Sequence, residues 1–393
     1  MEYNPVLPAV QENPYPYYAY LRRHAPVYHV PDMGFWAVSR YDDVLAIFRN
    51  PHLFSSAGLL SALMGDLNPF PPEAPELIGS DPPYHTRLRK LANKAFTPRR
   101  VASLEQRIRE VTGQLIEQAA RQEVFDLVKD FSAPLPTIVI AELLGIPPER
   151  YTDFKGWTDS VIRAMNGMAV PLEERAGLRQ SMNEMFAYLQ EEIARYRQQP
   201  GDNLLSDLVR AEEENQILST VEILSLAAIL VLGGSETTTN LIGNAVLALL
   251  AHPEQLAQVR ANLALVPNVL EETVRYDNPI QTVPRRAVQE TVVAGTTIPA
   301  GSPILPLIGS ANRDERKFPD PERFDMMRDT EGHLGFGSGI HYCIGAQLAR
   351  LEARVALETL LGRFPRLAHL SDRVARTRTI AVRGPRELPL MVG

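Results

Sequence analysis

Apolar residues recur at three- and four-residue spacing over most of this chain, a period that predicts helices. The pattern is clear at 103–121, 133–144, 172–198, 219–250, 253–262, 266–276 and 345–361. The first of these opens on "SLEQ", so Ser103, with Glu105 close behind it, is the expected helix start. Strand-like pieces are short and few: "PVYHV", "FWAVS", "TVVAG" through "TTIPAG", "PILPLI" and the tail "TIAV". Strands and helices do not alternate regularly, which argues against a doubly wound sheet. The expected class is mainly α with small β-sheets. No P-loop or GxGxxG motif follows a strand, and no internal repeat is present.

Composition narrows the picture. Hydrophobic residues make up 45% of the 393, enough for a large core. No Gly/Ser linker, low-complexity tract or charge block divides the chain, so 1–393 is expected to form one domain with a helix-rich and a smaller β-rich part. The net charge of −7 gives no reason to expect nucleic acid as a partner. The N-terminus, "MEYNPVLPAVQENPYPYYAY", has neither a basic start nor an apolar run, so no signal peptide or membrane anchor is expected. The most apolar stretch, "LSLAAILVLGGSETTTNLIGNAVLALLA", is interrupted by Glu236 and a threonine run. It reads as a buried core helix rather than a spanning one. A cytoplasmic monomer is the expectation.

Candidate chemistry starts at the single cysteine, which excludes an internal disulfide framework and any Cys-only zinc site. Cys343 stands in "GFGSGIHYCIGAQLAR", just ahead of a segment with Ile344, Leu348, Leu351 and Val355 on one face. Gln347, Arg350, Glu352 and Arg354 fall on another face. A helix N-terminus favours a thiolate, and Gly337, Gly339 and Gly345 allow a tight loop around it. On position alone, a buried thiol acting as a small apolar residue is the commoner outcome. Thiolate ligation of haem iron needs only one cysteine.

Three further segments carry polar or glycine residues in unusual places. "LGGSETTTN" places two glycines in a helix interior, at a cost of roughly 2 kcal/mol relative to alanine. A flat ligand at the backbone would offset that cost; a kinked helix with a back-bonding threonine accounts for it equally. "EETVRY" puts Glu272 and Arg275 three apart, by default a surface ion pair. "DPPYHTRLRKLANKAFTPRR" sets His85 and Arg89 on one helix face, an arrangement that suits an anion opposite or a solvated surface.

Together these segments, in this order, resemble the cytochrome P-450 monooxygenases, and the resemblance runs from about Asn13 to the C-terminus. Phe336, Gly339, Cys343 and Gly345 fall on the fixed positions of the family's haem-binding signature. The resemblance implies a helical prism fold with haem b between the long oxygen-activating helix and the cysteine loop, and Cys343 as the axial thiolate. Gly233 and Gly234 would let haem approach, and Glu236 and Thr237 would direct protons to dioxygen, the co-substrate. His85, Arg89, Arg285 and His341 would meet the propionates. Glu272, Arg275 and Arg323 would form a buried structural cluster.

By the same resemblance, Ile229, Leu232, Gly233, Ile280, Gln281, Val283, Ile380, Ala381 and Val382 would line a hydrophobic substrate pocket for a terpenoid, steroid, fatty acid or macrolide-like molecule. Residues 57–70 would form a lid and 163–170 an entrance element. Electrons would come from NAD(P)H through a separate ferredoxin reductase and ferredoxin. The ferredoxin would dock where Arg87, Lys90, Arg99, Arg100 and Arg350 gather. A haem-thiolate ligand or gas sensor, or a peroxide-driven peroxygenase, are the alternatives. The intact acid–alcohol pair sets a monooxygenase ahead of both.

Overall fold

The computed structural model describes all residues except 32, 71–75, 166–169, 214–215, 372, 378 and 393. The chain divides into two compact units. One comprises Met1–Ser55, Gln106–Leu135 and Thr237–Gly393, the other Ser56–Glu105 and Pro136–Glu236.

The predicted helices form close to their expected limits: Glu105–Ala119, Pro134–Leu143, Leu172–Gln198, Thr220–Ala251, Pro253–Ala261, Val266–Tyr276 and Ala346–Arg363. Ser103 is not a helix start. It ends a short helix, Pro98–Ser103, and its hydroxyl donates to the Arg100 carbonyl at 2.8 Å. The cap of that short helix is Thr97, whose side chain accepts from the Arg100 amide, with Pro98 pre-set for the first helical position.

The first unit holds the β-structure. A five-stranded sheet runs Val27–Val30, Phe35–Val38, Pro303–Pro306, Arg285–Ala287 and Phe54–Ser55 in spatial order. Pairing is antiparallel except where Pro303–Pro306 lies parallel to Phe35–Val38. Ile304 pairs with Trp36 on one side and Arg285 on the other, and this register fixes Arg285 beside the core strand. Val38, Val44, Ile47, Phe48, Ile304 and Phe318 pack into one apolar cluster. Thr291–Val293 and Thr296–Ile298 form a separate hairpin, turned by Ala294 and Gly295, both at positive φ.

The tail segment "TIAV" is not a strand. Val382 makes only an isolated bridge to Ile280. The tail's strand is Pro389–Val392, in a three-stranded sheet with Leu367–His369 and Val124–Asp126.

The second unit is nearly all helical. Tyr151–Ala164 packs on Leu172–Gln198, where Trp157 and Tyr188 meet at 5.6 Å and Arg150 lies over both rings. The long helix Thr220–Ala251 is unbroken through its glycine pair. Gly234 is explained by packing: a Cβ there would sit 2.6 Å from the Ile140 side chain, so only glycine lets Pro134–Leu143 approach this closely. At Gly233 a side chain would meet nothing within 4 Å. The long helix is long and apolar enough to cross a membrane. It nevertheless buries Ser225, Ser235, Thr238, Asn240 and Asn244 along its length, as a core helix does.

Candidate functional site

The cysteine loop is shaped before its helix begins. The Gly337 amide donates to the Leu334 carbonyl at 2.8 Å, closing a turn. Gly339 has φ +69°, and a Cβ on it would lie 2.5 Å from the Phe48 carbonyl oxygen, so no other residue fits. A single 3₁₀ turn, Gly339–His341, then leads to Cys343. The Cys343 amide donates to the Phe336 carbonyl at 2.9 Å, and the thiol is exposed two residues before Gly345, which precedes the helix Ala346–Arg363. Here the thiol is not the buried apolar residue that position alone favours.

Behind the loop lies the Glu272–Arg275 pair. Both side chains are wholly buried and joined by two bonds, Nε–Oε2 at 2.7 Å and Nη2–Oε1 at 2.8 Å, which excludes the surface reading. Every remaining donor of Arg275 is used on the carbonyls of Asn312, Pro321 and Arg323. The third arginine of the cluster is Arg328, whose Nε lies 3.4 Å from Glu272 Oε1, and not Arg323. The Arg323 side chain is exposed, and only its main chain takes part. The two are five residues apart on one turn-rich segment, and the sequence alone does not say which one turns inward.

Arg285, nearly buried on its strand, donates to the Pro284 carbonyl at 2.8 Å and lies over the Phe48 ring. His341 is half-buried in the 3₁₀ turn. In the same unit the two tail-end lining stretches come together. Gln281 takes a 2.7 Å bond from its amide to the Ala381 carbonyl, and Ile280 bridges Val382. Ile280 and Val283 pack against the strand core, and the buried Gln281 amide donates to Asn278. Ile380 and Ala381 are half-buried.

In the other unit, Tyr84–Ala95 carries His85, 2% exposed, with half-buried Arg89 one turn on. Its start is tied to the long helix by Tyr84, which donates to Glu222 at 2.5 Å, and by an Arg87–Glu222 ion pair. Ile229 and Leu232 line an apolar cavity together with Leu60, Met64, Phe70 and Phe186. The expected lid therefore does contribute to the same cavity as the long helix. Of the expected entrance element, Met165 borders this cavity, and 166–169 lie outside the described residues. Four residues past Leu232 on the same helix, Glu236 is half-buried, and burial pushes its carboxyl above the usual range. Thr237 follows it, also half-buried.

The expected docking cations are less available than the sequence suggests. Arg87 pairs with Glu222, Arg100 with Asp202 and Asp207, and Arg350 with Glu271. Arg99 and Lys90 are exposed. The helix after the cysteine also departs from its expected polar face, because Glu352 is 1% exposed. Burial alone holds its carboxyl well above the usual range.

Among the described residues no three His, Cys, Asp or Glu side chains gather to hold a metal ion. A single thiol just ahead of a helix, with buried Arg285 and half-buried His341 in the same unit, suits instead an iron already held by a porphyrin. Such an iron needs one protein ligand and cationic partners for its carboxylates. The donor set fits haem.

The comparisons agree. The sequence profile of the family described as Cytochrome P-450 matches residues 37–386. Cytochrome P-450 107B1 of Saccharopolyspora erythraea is 40% identical over 91% of this chain and 89% of its own length. The 6-deoxyerythronolide B hydroxylase of the same organism is 40% identical over 95% and 94%. The solved structure of a cytochrome P-450 from Chondromyces apiculatus superposes with a TM-score of 0.92 at 42% identity, covering 99% of this chain and 97% of that one. With its profile, its fold and its cysteine loop in agreement, the chain belongs to the cytochrome P-450 family of haem monooxygenases.

Proposed function

We propose that this monooxygenase holds haem b through the Cys343 thiolate and oxidises a hydrophobic small molecule. The observation that carries the reading is the cysteine loop. The Cys343 amide is fixed to Phe336 and the loop turns on Gly337 and Gly339 at positive φ, while Cys343 is exposed just ahead of an 18-residue helix. When bound, haem supplies the activation of dioxygen and the transfer of one oxygen atom to the substrate.

The chain's own residues do the rest. Cys343 would hold the iron, and His85, Arg89, Arg285 and His341 would hold the propionates. Phe336 and Gly345 flank the ligand, and Gly233, where a Cβ would meet nothing within 4 Å, keeps a side chain away from the porphyrin face, while Gly234 serves the packing against Ile140. Glu236, whose burial lets it carry a proton nearer neutral pH, passes that proton toward the hydroxyl of Thr237. Ile229 and Leu232, with the lid residues, exclude water and orient the substrate. The residues lining that cavity are apolar throughout, which supports a hydrophobic ligand. A relative's name, 6-deoxyerythronolide B hydroxylase, is in keeping with hydroxylation of such a molecule. A separate reductase and ferredoxin would supply the electrons from NAD(P)H, in the cytoplasm.

The test is spectroscopic. The haem-loaded protein, reduced under carbon monoxide, is expected to show the long-wavelength Soret band of thiolate ligation. Cys343→Ala is expected to lose it. A screen of hydrophobic compounds for the low- to high-spin Soret shift then identifies ligands. Product formed with a surrogate ferredoxin and reductase separates a monooxygenase from a sensor. A wild-type protein without the thiolate band would overturn the assignment of Cys343.

A further inference from the structure

Arg350 lies seven residues beyond Cys343, yet its guanidinium reaches back over both ends of the cysteine loop. It covers the Phe336 ring at 4.3 Å from the ring centre, and its Nη1 approaches the Tyr342 hydroxyl at 3.4 Å. Phe336 is the residue whose carbonyl receives the Cys343 amide, and Tyr342 is the residue just before the cysteine. One planar cation therefore touches the loop where its backbone bond begins and where it ends.

The guanidinium is itself fixed from a different element. Glu271, on the helix Val266–Tyr276, binds it through two parallel bonds, Nε–Oε1 at 2.6 Å and Nη2–Oε2 at 2.9 Å. His333 completes the frame. Its Nδ1 accepts the Gly335 amide at 3.2 Å, so its ring hydrogen sits on Nε2, which donates to Glu271 at 2.9 Å. The His333 ring also lies 6.0 Å from that of Phe336. Glu271, Arg350, Phe336 and His333 thus form a closed circuit of contacts around the residue that holds the Cys343 amide.

The more deeply buried Glu272–Arg275 pair next door has no need of this circuit, because its donors and acceptors are satisfied among themselves, by Arg328 and by main-chain groups. A bidentate clamp of this kind, partly buried and aimed at one aromatic ring, is more than a surface ion pair requires.

We propose that Glu271 and Arg350 are positioning residues for the thiolate: Glu271 orients the guanidinium, and the guanidinium presses on Phe336 and Tyr342 to hold the loop in the one arrangement that aims Cys343 Sγ. The proposal rests on Cys343 being the iron ligand. It predicts that the clamp governs ligation and electronics beyond the stability its ion pair contributes.

The experiment compares haem-loaded wild type with Arg350→Gln, Arg350→Lys and Glu271→Gln, reading the reduced carbonyl spectrum, the reduction potential and the thermal midpoint. Arg350→Gln is expected to raise the share of the short-wavelength Soret form roughly two- to fivefold, the equilibrium worth of a lost cation–aromatic contact, and to displace the potential. Arg350→Lys, which keeps the charge and one bond but not the flat stack, is expected to recover the thermal midpoint and not the spectrum. If Arg350→Gln takes up no haem, Glu271→Gln, which frees the guanidinium without removing it, gives the same readout. Wild-type spectra and potentials in all three variants, or full spectral rescue by lysine, would overturn the clamp. Absence of the thiolate band in the wild type would instead overturn the Cys343 reading.

Discussion

Glu272 and Arg275 face each other with no exposed surface, joined at 2.7 and 2.8 Å, and the same carboxylate takes the Asp325 amide at 2.8 Å. Two charges buried this way are tolerated because every guanidinium proton and both carboxylate oxygens have a partner. Removing one leaves the other uncompensated. Arg275→Leu is therefore expected to cost about 3–5 kcal/mol, seen as a fall in thermal midpoint and failure to retain haem. Arg323→Leu, whose side chain is exposed, is expected to be close to neutral, and Arg328→Leu to fall between the two. Equal losses at 323 and 328 would contradict the arrangement seen here.

Glu271 gives a stability that depends on acid. Burial works to raise its carboxyl, but hydrogen bonds from Arg350 and His333 and the Arg350 charge bring it down to about 2. A carboxyl lowered in the folded state contributes stability that is fully present above its unfolded value, near 4.5, and is lost as pH falls toward 2. Wild type is expected to lose thermal midpoint over that window more steeply than Glu271→Gln. Parallel curves would mean that the carboxylate is not so held.

The long helix makes the opposite case. Burial raises the Glu236 carboxyl, so the folded state binds its proton more tightly than the unfolded chain, and stability falls as pH rises through the range above 4.5. Glu236→Gln is expected to match wild type in acid and to exceed it in thermal midpoint at neutral pH. It is also expected to slow turnover, with Thr237→Ala diverting reducing equivalents to peroxide. A Thr237→Ala enzyme that couples electrons to product as well as wild type would remove the proton-relay role.

Much of this was readable in advance, and the misses have physical causes. Helical period located the long helices because their buried faces are continuous. It failed for Ser103, where the backbone bends into a short helix first, and for "TIAV", where apolar and β-branched residues make only one bridge. Glu352 looked like part of a polar face because its neighbours Arg350 and Arg354 are polar, yet it is buried on the opposite side. The Glu271–Arg350 and Glu271–His333 pairs join residues 79 and 62 positions apart, and no local pattern marks them. What the motifs supplied was the chemistry of Cys343 and its companions. What they lacked was which arginine turns inward and which cations are already paired.

Gly339 sets how little the loop can change. Its φ of +69° costs an alanine about 1–2 kcal/mol, and the added methyl would press on the Phe48 carbonyl in the last turn of the helix Tyr41–Arg49. Gly339→Ala is expected to weaken haem retention while leaving the helical content by circular dichroism unchanged. Gly345→Ala, at ordinary φ and with its Cβ at normal contact distance from the thiol, is expected to be far milder.

The apolar cavity can be tested from its floor. Ile229 is buried on the long helix, and Phe70 meets Phe186 edge-on at 5.1 Å across the same lining. Ile229→Phe adds volume against a wall of apolar side chains, and overpacking of this kind costs about 1–3 kcal/mol. In binding terms, bulky ligands are expected to lose roughly 10- to 100-fold in affinity by Soret-shift titration, while small ligands bind as before. Opening the wall with Phe186→Ala is expected to move the preference toward larger molecules. If bulky ligands bind Ile229→Phe as they bind wild type, their site does not include this cavity, and the lining assigned to Ile229 and Leu232 is wrong.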